Sequence, residues 1–126
     1  MKKAFILLSH KLLDSQIREL EEKWHVKKII SLPEELQKIW SNVPPELGEI
    51  NTLAKEFSNW IKNNSSQGDI VIVQGDYGLT CNIVNFVKSK KLIPVYATTK
   101  RIVKEEIING VTEIKRIFEH VKFRQY

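Results

Sequence analysis

Three stretches of this chain combine residue types suited to chemistry: Ser9-His10, Gln74-Gly75-Asp76-Tyr77-Gly78 and Thr98-Thr99-Lys100-Arg101. Each comes directly after a short apolar run, Phe5 to Leu8, Ile70 to Val73 and Ile93 to Ala97. In an open parallel sheet such positions share the carboxyl edge of the strands, where ligands bind. Histidine is the side-chain type that titrates nearest neutrality, so His10 suits a general acid or base, or a surface or capping role. Ser9 suits donation to a phosphate, or capping of the next element. Glycines at 75 and 78 permit close approach of the backbone, and the N–H groups of a helix beginning there attract anions. Asp76 has two open roles: positioning a hydroxyl or magnesium ion, or ordinary turn chemistry. Lys100 and Arg101 are cations that suit phosphate, arginine by a bidentate grip. A pocket for a phosphate-bearing ligand is the expectation. The turn matches neither the dinucleotide fingerprint nor the P-loop pattern, so the ligand stays open.

The elements that must position these residues alternate between strand and helix. Phe5 to Leu8 reads as a strand buried on both faces. Leu13, Ile17, Leu20 and Trp24 mark a helix, with Asp14 or Ser15 near its start. Val26 to Leu32 reads as a second strand. Pro33 with Glu34 and Glu35 opens a helix carrying Leu36, Ile39 and Trp40, which Pro44-Pro45 stops. Residues 46–64 carry a long amphipathic stripe from Leu47 to Ile61. The strand before Gln74 comes next, then a helix with Leu79, Ile83, Phe86 and Val87. Asn109-Gly110 between β-branched stretches is a two-residue hairpin signal, which outweighs a competing helical period over residues 107–121. The fold class expected is therefore α/β: one Rossmann-like domain over residues 1–126, its mostly parallel sheet flanked by helices and extended by a C-terminal antiparallel hairpin.

Composition narrows the function classes. Twenty Lys and Arg against fifteen Asp and Glu give a net +5, with a pI near 9.3. The excess favours a polyanionic partner, yet the cations are scattered, unlike those of a dedicated duplex binder. No apolar run has membrane-spanning length, and Ala4 to Leu8 is too short for a signal peptide's core. A lone cysteine, Cys81, excludes an intrachain disulfide and fits the reducing cytoplasm. It reads as a small buried hydrophobe on its helix. His10, His25 and His120 have no ligand spacing among themselves or with Cys81, so no metal site is expected. Trp24 and Trp60 lie on apolar stripes. Trp40, followed by Ser41-Asn42 and a double proline, has two readings: core, or a platform on which a base stacks.

A resemblance sharpens the ligand. Leu7-Leu8-Ser9-His10, Leu32-Pro33-Glu34-Glu35-Leu36-Gln37-Lys38-Ile39-Trp40-Ser41-Asn42, Gln74-Gly75-Asp76, Tyr96-Ala97-Thr98-Thr99-Lys100-Arg101 and His120-Val121-Lys122-Phe123-Arg124 resemble the small CRISPR-associated Csx proteins numbered twenty. The resemblance implies a CARF-like sensor domain of type III CRISPR systems. It implies a ring nuclease that cleaves a cyclic oligoadenylate, cyclic tetra-adenylate first, and so ends antiviral signalling. It implies a homodimer with the ring held across the two-fold axis. Similar enzymes use a serine after the first strand and a basic residue in the same pocket, for which Ser9 and Lys100 are the counterparts.

Such cleavage needs no metal or cofactor. The ribose 2′-OH attacks its own phosphate in line and leaves a 2′,3′-cyclic phosphate, provided the protein aligns the hydroxyl and stabilises the charge. On this reading His10, Ser9 and Lys100 are catalytic, with Thr98 a positioning group. Gln74, Gly75, Asp76, Tyr77, Gly78, Thr98, Thr99, Arg101, Trp40 and Asn42 contact the ligand. Two rivals remain: a protein that sequesters the ring without cleaving it, and a basic nucleic-acid-binding accessory. No membrane or stable long nucleic-acid partner is expected.

Overall fold

A continuous apolar run buried on both faces is what the centre of a parallel sheet demands, and two stretches of the chain meet it. In the computed structural model, which describes Met1–Tyr126, these are β1 (Lys3–Leu7) and β3 (Ile70–Val73). Around them lie α1 (Asp14–Glu22), β2 (Lys28–Ser31), α2 (Glu34–Ser41), α3 (Asn51–Asn64), α4 (Tyr77–Ser89), β4 (Ile93–Ile108) and β5 (Val111–Gln125). The sheet runs β2-β1-β3-β4-β5. The first three pairings are parallel, with Phe5 beside Ile30 on one flank and Val71 on the other. Only β5 is antiparallel.

Alternation along the strands divides the core. Phe5, Leu7, Val71 and Val73 face α2, α3 and α4, where Trp40, Phe57, Ile61 and Leu79 pack. Ala4, Ile6, Ile70 and Ile72 face the opposite way, toward Leu20 of α1, Val95 and Phe123. Asp69, almost wholly buried, ties the start of β3 to its neighbours by accepting from the N–H groups of Lys3 (3.1 Å) and Ser66 (2.9 Å).

One helix start differs from the sequence reading. Helix α3 begins at Asn51 rather than near residue 46, and Leu47 is left exposed. The Glu49 carboxylate accepts from the Asn51 N–H (2.8 Å) and the Thr52 hydroxyl (3.0 Å), so the first turn is capped there. Helix α1 opens at Asp14, where the sequence places its start, with the Gln16 side chain accepting from the Leu13 N–H (2.9 Å). The larger difference concerns β4. It does not end at Thr98–Arg101 but continues to Ile108, turns at Asn109-Gly110 with positive φ at both residues, and returns as β5. That turn is the geometry an Asn-Gly hairpin requires.

Candidate functional site

The strand order reverses direction between β1 and β3, which places the switch-point crevice between the loop carrying Ser9-His10 and the turn carrying Gln74-Gly75. Helix α2 fills the middle of that crevice. Gln37 Nε2 donates to the Leu8 carbonyl (2.8 Å) and Trp40 Nε1 to the Gln74 carbonyl (3.0 Å), while the Gln74 N–H donates to the Leu7 carbonyl (3.0 Å). A Cβ built on Gly75 meets three Trp40 ring atoms at 3.0 Å, so glycine is needed for this approach. Trp40 is only 2% exposed. Of its two readings the structure takes the core: the ring is a wall beneath the turn, not a platform for a ligand base.

This Trp40–Gly75 ridge splits the carboxyl edge into two hollows. One, of about 800 Å³, is lined by Ser9, His10, Ser31, Gln37, Lys38 and Ser41 among others. His10 is exposed there, its Nδ1 lying 3.2 Å from the Lys11 carbonyl. The second, of about 500 Å³, is lined by Gln74, Gly75, Tyr77, Thr80, Tyr96 and Tyr126, with Cys81 on its wall. Cys81 is exposed, contrary to the buried position expected of it.

The second hollow is aromatic and polar together. Tyr77 stands 95% exposed at the start of α4. The rings of Tyr96 and Tyr126 lie 4.8 Å apart, tilted by 55°. The Arg124 guanidinium sits 5.7 Å over the Tyr96 ring and donates to its hydroxyl (3.1 Å). Tyr126 donates its own hydroxyl to the Val73 carbonyl. Burial, and secondarily Tyr96, push the Tyr126 phenol above its ordinary range. Thr80 Oγ1 is buried beside this hollow with no hydrogen-bond partner. Tyr77 and Gly78 open α4, whose first N–H groups have no carbonyl one turn back to bond. Tyr126→Phe should cost about 1–2 kcal/mol by leaving the Val73 carbonyl unpaired, measured as a lower urea midpoint at unchanged slope.

Other residues named from the sequence have structural engagements. Asp76 caps α4, accepting from the Leu79 N–H at 2.9 Å. Gln74 Oε1 accepts from the Ala97 N–H (2.9 Å), continuing the ladder past the end of β3. Thr98 Oγ1 donates to the Lys122 carbonyl (2.7 Å) and accepts from the Lys122 N–H (3.2 Å), pinning a bulge between the hairpin strands. Asn42 terminates α2 and is exposed. Because β4 runs straight through residues 98–101, alternate side chains take opposite faces. Lys100 shares the Tyr96 and Thr98 side, whereas Arg101 and Thr99 share the α1 side with Ala97. One chain therefore does not close both cations on the same phosphate.

Tyr96, Tyr126, Thr80 and Arg124 are site residues that the sequence reading does not include. Strand alternation around Tyr96 is the available signal, since it puts the ring on the face opposite Val95. His120, for which the sequence offers no ligand spacing, is engaged with α1. Its side chain is 3% exposed and its Nε2 donates to Glu19 Oε1 at 2.7 Å. No three His, Cys, Asp or Glu side chains converge as a metal site would require.

The strand order and edge hollows define an α/β protein of the doubly wound, flavodoxin-like type, modified by an antiparallel fifth strand that extends as an arm. Within that class the chain belongs to the Uncharacterized protein MJ1673 family, which it matches over residues 2–124. A Methanocaldococcus jannaschii protein described as uncharacterized protein MJ1673 is 42% identical over 126 residues, covering all of this chain and 98% of the relative. No solved structure matches the chain. No helix is long and apolar enough to cross a membrane.

Proposed function

We propose that this chain is a cytoplasmic, homodimeric ring nuclease that binds and cleaves cyclic oligoadenylate, cyclic tetra-adenylate before other rings. The observation that carries the reading is the tyrosine-lined hollow beside the α4 N-terminus, flanked by Arg124 and on the face that Lys100 shares. Aromatic faces stack adenine without needing base-edge contacts, and a helix N-terminus with cations receives phosphate. The resemblance of the Ser9, Gln74 and Lys100 segments to the type III CRISPR Csx family supports the same ligand. A macrocycle also suits an edge divided by the Trp40–Gly75 ridge, because it can lie across the ridge and reach both hollows.

In this reading the 2′-oxygen bonds to phosphorus as the bond to the 5′-oxygen breaks, giving a 2′,3′-cyclic phosphate and a 5′-hydroxyl. His10 transfers the proton, Ser9 positions the phosphate and Lys100 offsets the developing charge. Thr98 contributes through the backbone it pins. Incubating the protein with labelled cyclic tetra- and hexa-adenylate in EDTA should yield linear products over multiple turnovers. His10→Ala should slow cleavage about 10²-fold or more with binding retained, whereas Lys100→Ala should weaken both. Normal cleavage by both variants would sink the assignment.

One observation favours a second reading. His10 lies in a different hollow from the tyrosines, and the Thr98 hydroxyl is already engaged. A protein so built could hold the ring without cutting it. Stoichiometric retention of intact ring, with no products, would identify a sequestering protein. Affinity for linear RNA or DNA that falls steeply with salt would instead favour a nucleic-acid accessory.

A further inference from the structure

Helix α2 sends two side chains across to the ends of the central strands. Gln37 Nε2 donates to the Leu8 carbonyl just past β1 (2.8 Å), and Trp40 Nε1 to the Gln74 carbonyl just past β3 (3.0 Å). Residues three apart on a helix are neighbours on its surface. One short helix therefore holds both the segment leading to Ser9-His10 and the turn from Gln74 to Gly78. Trp40 is also fixed by its burial in the core, whereas Gln37 is only partly covered and acts by hydrogen bonding.

The surroundings of Leu8 give that bond its weight. Leu8 is 2% exposed, and its carbonyl lies past the last rung of the sheet. The pairing of β1 with β2 ends at Ile6 and Ser31, and Pro33, two residues on, has no N–H to offer. On the other side the pairing with β3 ends at Leu7 and Val73, and the Gln74 N–H goes to the Leu7 carbonyl (3.0 Å). No backbone N–H reaches the Leu8 carbonyl. A buried carbonyl without a partner is costly, and the Gln37 amide stands in for the missing rung. The same nitrogen donates to Ser41 Oγ (3.0 Å), one turn further along α2, so both of its protons are committed.

Ser9 and His10 follow directly and have little else to hold them. From Ser9 to Leu12 the chain makes no backbone–backbone hydrogen bond. The His10 ring touches only the Lys11 carbonyl of its own loop (3.2 Å). The chain is next fixed at Leu13, whose N–H meets the Gln16 side chain. Leu8 is therefore the last anchored residue before the pair that does chemistry.

We propose that Gln37 is a positioning residue for the cleavage described above, a role that rests on the ring-nuclease reading. It acts through the Leu8 backbone and sets Ser9 and His10 against the turn that Trp40 holds. Without the amide the Leu8 carbonyl turns toward water, and Ser9 and His10 swing with it. The tyrosine hollow lies across the Trp40–Gly75 ridge and keeps its shape. Ring binding is then retained while the in-line alignment is lost, and a misplacement of about 1 Å is worth about 10²-fold in rate.

Steady-state cleavage of labelled cyclic tetra-adenylate in EDTA by wild type, Gln37→Met and Gln37→Glu tests the role. Methionine keeps the length without a donor, and glutamate keeps the shape but turns an acceptor toward the carbonyl. Both should lower kcat about 10²-fold while KM stays within about twofold. The His10 imidazole signals in NMR spectra of both free variants should shift from their wild-type positions, and both proteins should remain folded by circular dichroism. Wild-type kcat in either variant, a loss confined to KM, or unmoved His10 signals would each overturn the role of Gln37. Those outcomes arise while wild type still turns over. A wild type that leaves the ring intact would instead overturn the nuclease reading, and the proposed role with it.

Discussion

Trp40→Ala is expected to lower the unfolding free energy by about 3–5 kcal/mol, the range for deleting a large buried aromatic side chain. Trp40 packs edge-on against Phe57, with ring centroids 5.2 Å apart, and lies directly under Gly75. Its indole N–H holds the Gln74 carbonyl at the end of β3. Truncation would open a cavity in the larger core and leave that carbonyl unpaired. Domains of this size are stable by only about 5–15 kcal/mol, so the loss is a large fraction of the whole. Trp40→Phe keeps most of the volume and removes the hydrogen bond, and should cost about 1–2 kcal/mol. Urea unfolding of the three proteins reads both numbers. An unchanged midpoint for Trp40→Ala would mean that the ridge does not support the fold. If ring binding also falls in Trp40→Phe, the effect must pass through the Gln74 turn, because the buried indole touches no ligand.

Glu19 is the second position where a large effect is expected. Its carboxylate, 9% exposed, accepts from Trp24 Nε1 (3.0 Å), the Phe123 N–H (2.8 Å) and His120 Nε2 (2.7 Å). Burial pushes its carboxyl up, but the Phe123 amide, the Trp24 indole and His120 together outweigh it and hold the group below the usual carboxylate range. Glu19→Ala strands all three donors at the junction of α1 with the root of the arm and should cost about 3 kcal/mol or more. The depressed folded value fixes the sign of the pH dependence. Stability from Glu19 is present above the unfolded carboxylate value of about 4.3 and is lost as pH falls through the lower folded value. The stability difference between wild type and Glu19→Gln should therefore be largest near neutrality and shrink in acid. A difference that grows on acidification would contradict the depressed carboxyl. Hydrogen exchange at the Phe123 amide should accelerate in Glu19→Gln, because the carboxylate that holds it is gone.

Much of the architecture was legible locally. The runs Phe5 to Leu8 and Ile70 to Val73 cannot be satisfied except at the centre of a sheet covered on both sides. Asn109-Gly110 supplies the two positive-φ residues of a tight hairpin, and β-branched neighbours make strand the better outcome than helix. The candidate site was less legible. Ser9, His10, Gln74 and Gly75 fall on the carboxyl edge as strand ends must, but the sequence does not say what stands between them. Trp40 was open to two readings because a tryptophan on an apolar stripe looks the same whether its indole meets a carbonyl or a ligand.

Residues far apart in the chain decided the remainder. Tyr126 reaches Val73, Gln74 extends the ladder to Ala97, and Glu19 holds His120 and Phe123 more than a hundred residues away. Periodicity and turn chemistry are local, so the amino-acid sequence by itself determined the order of strands and helices, the hairpin and the edge on which polar residues gather. Only the tertiary structure decided that Thr98–Arg101 are strand rather than loop, so that Lys100 and Arg101 point to opposite faces. It alone divided the edge into two hollows and sent an exposed two-stranded ribbon out beyond the body. Those outcomes depend on where β3 ends relative to β4, a long-range register that no local pattern encodes.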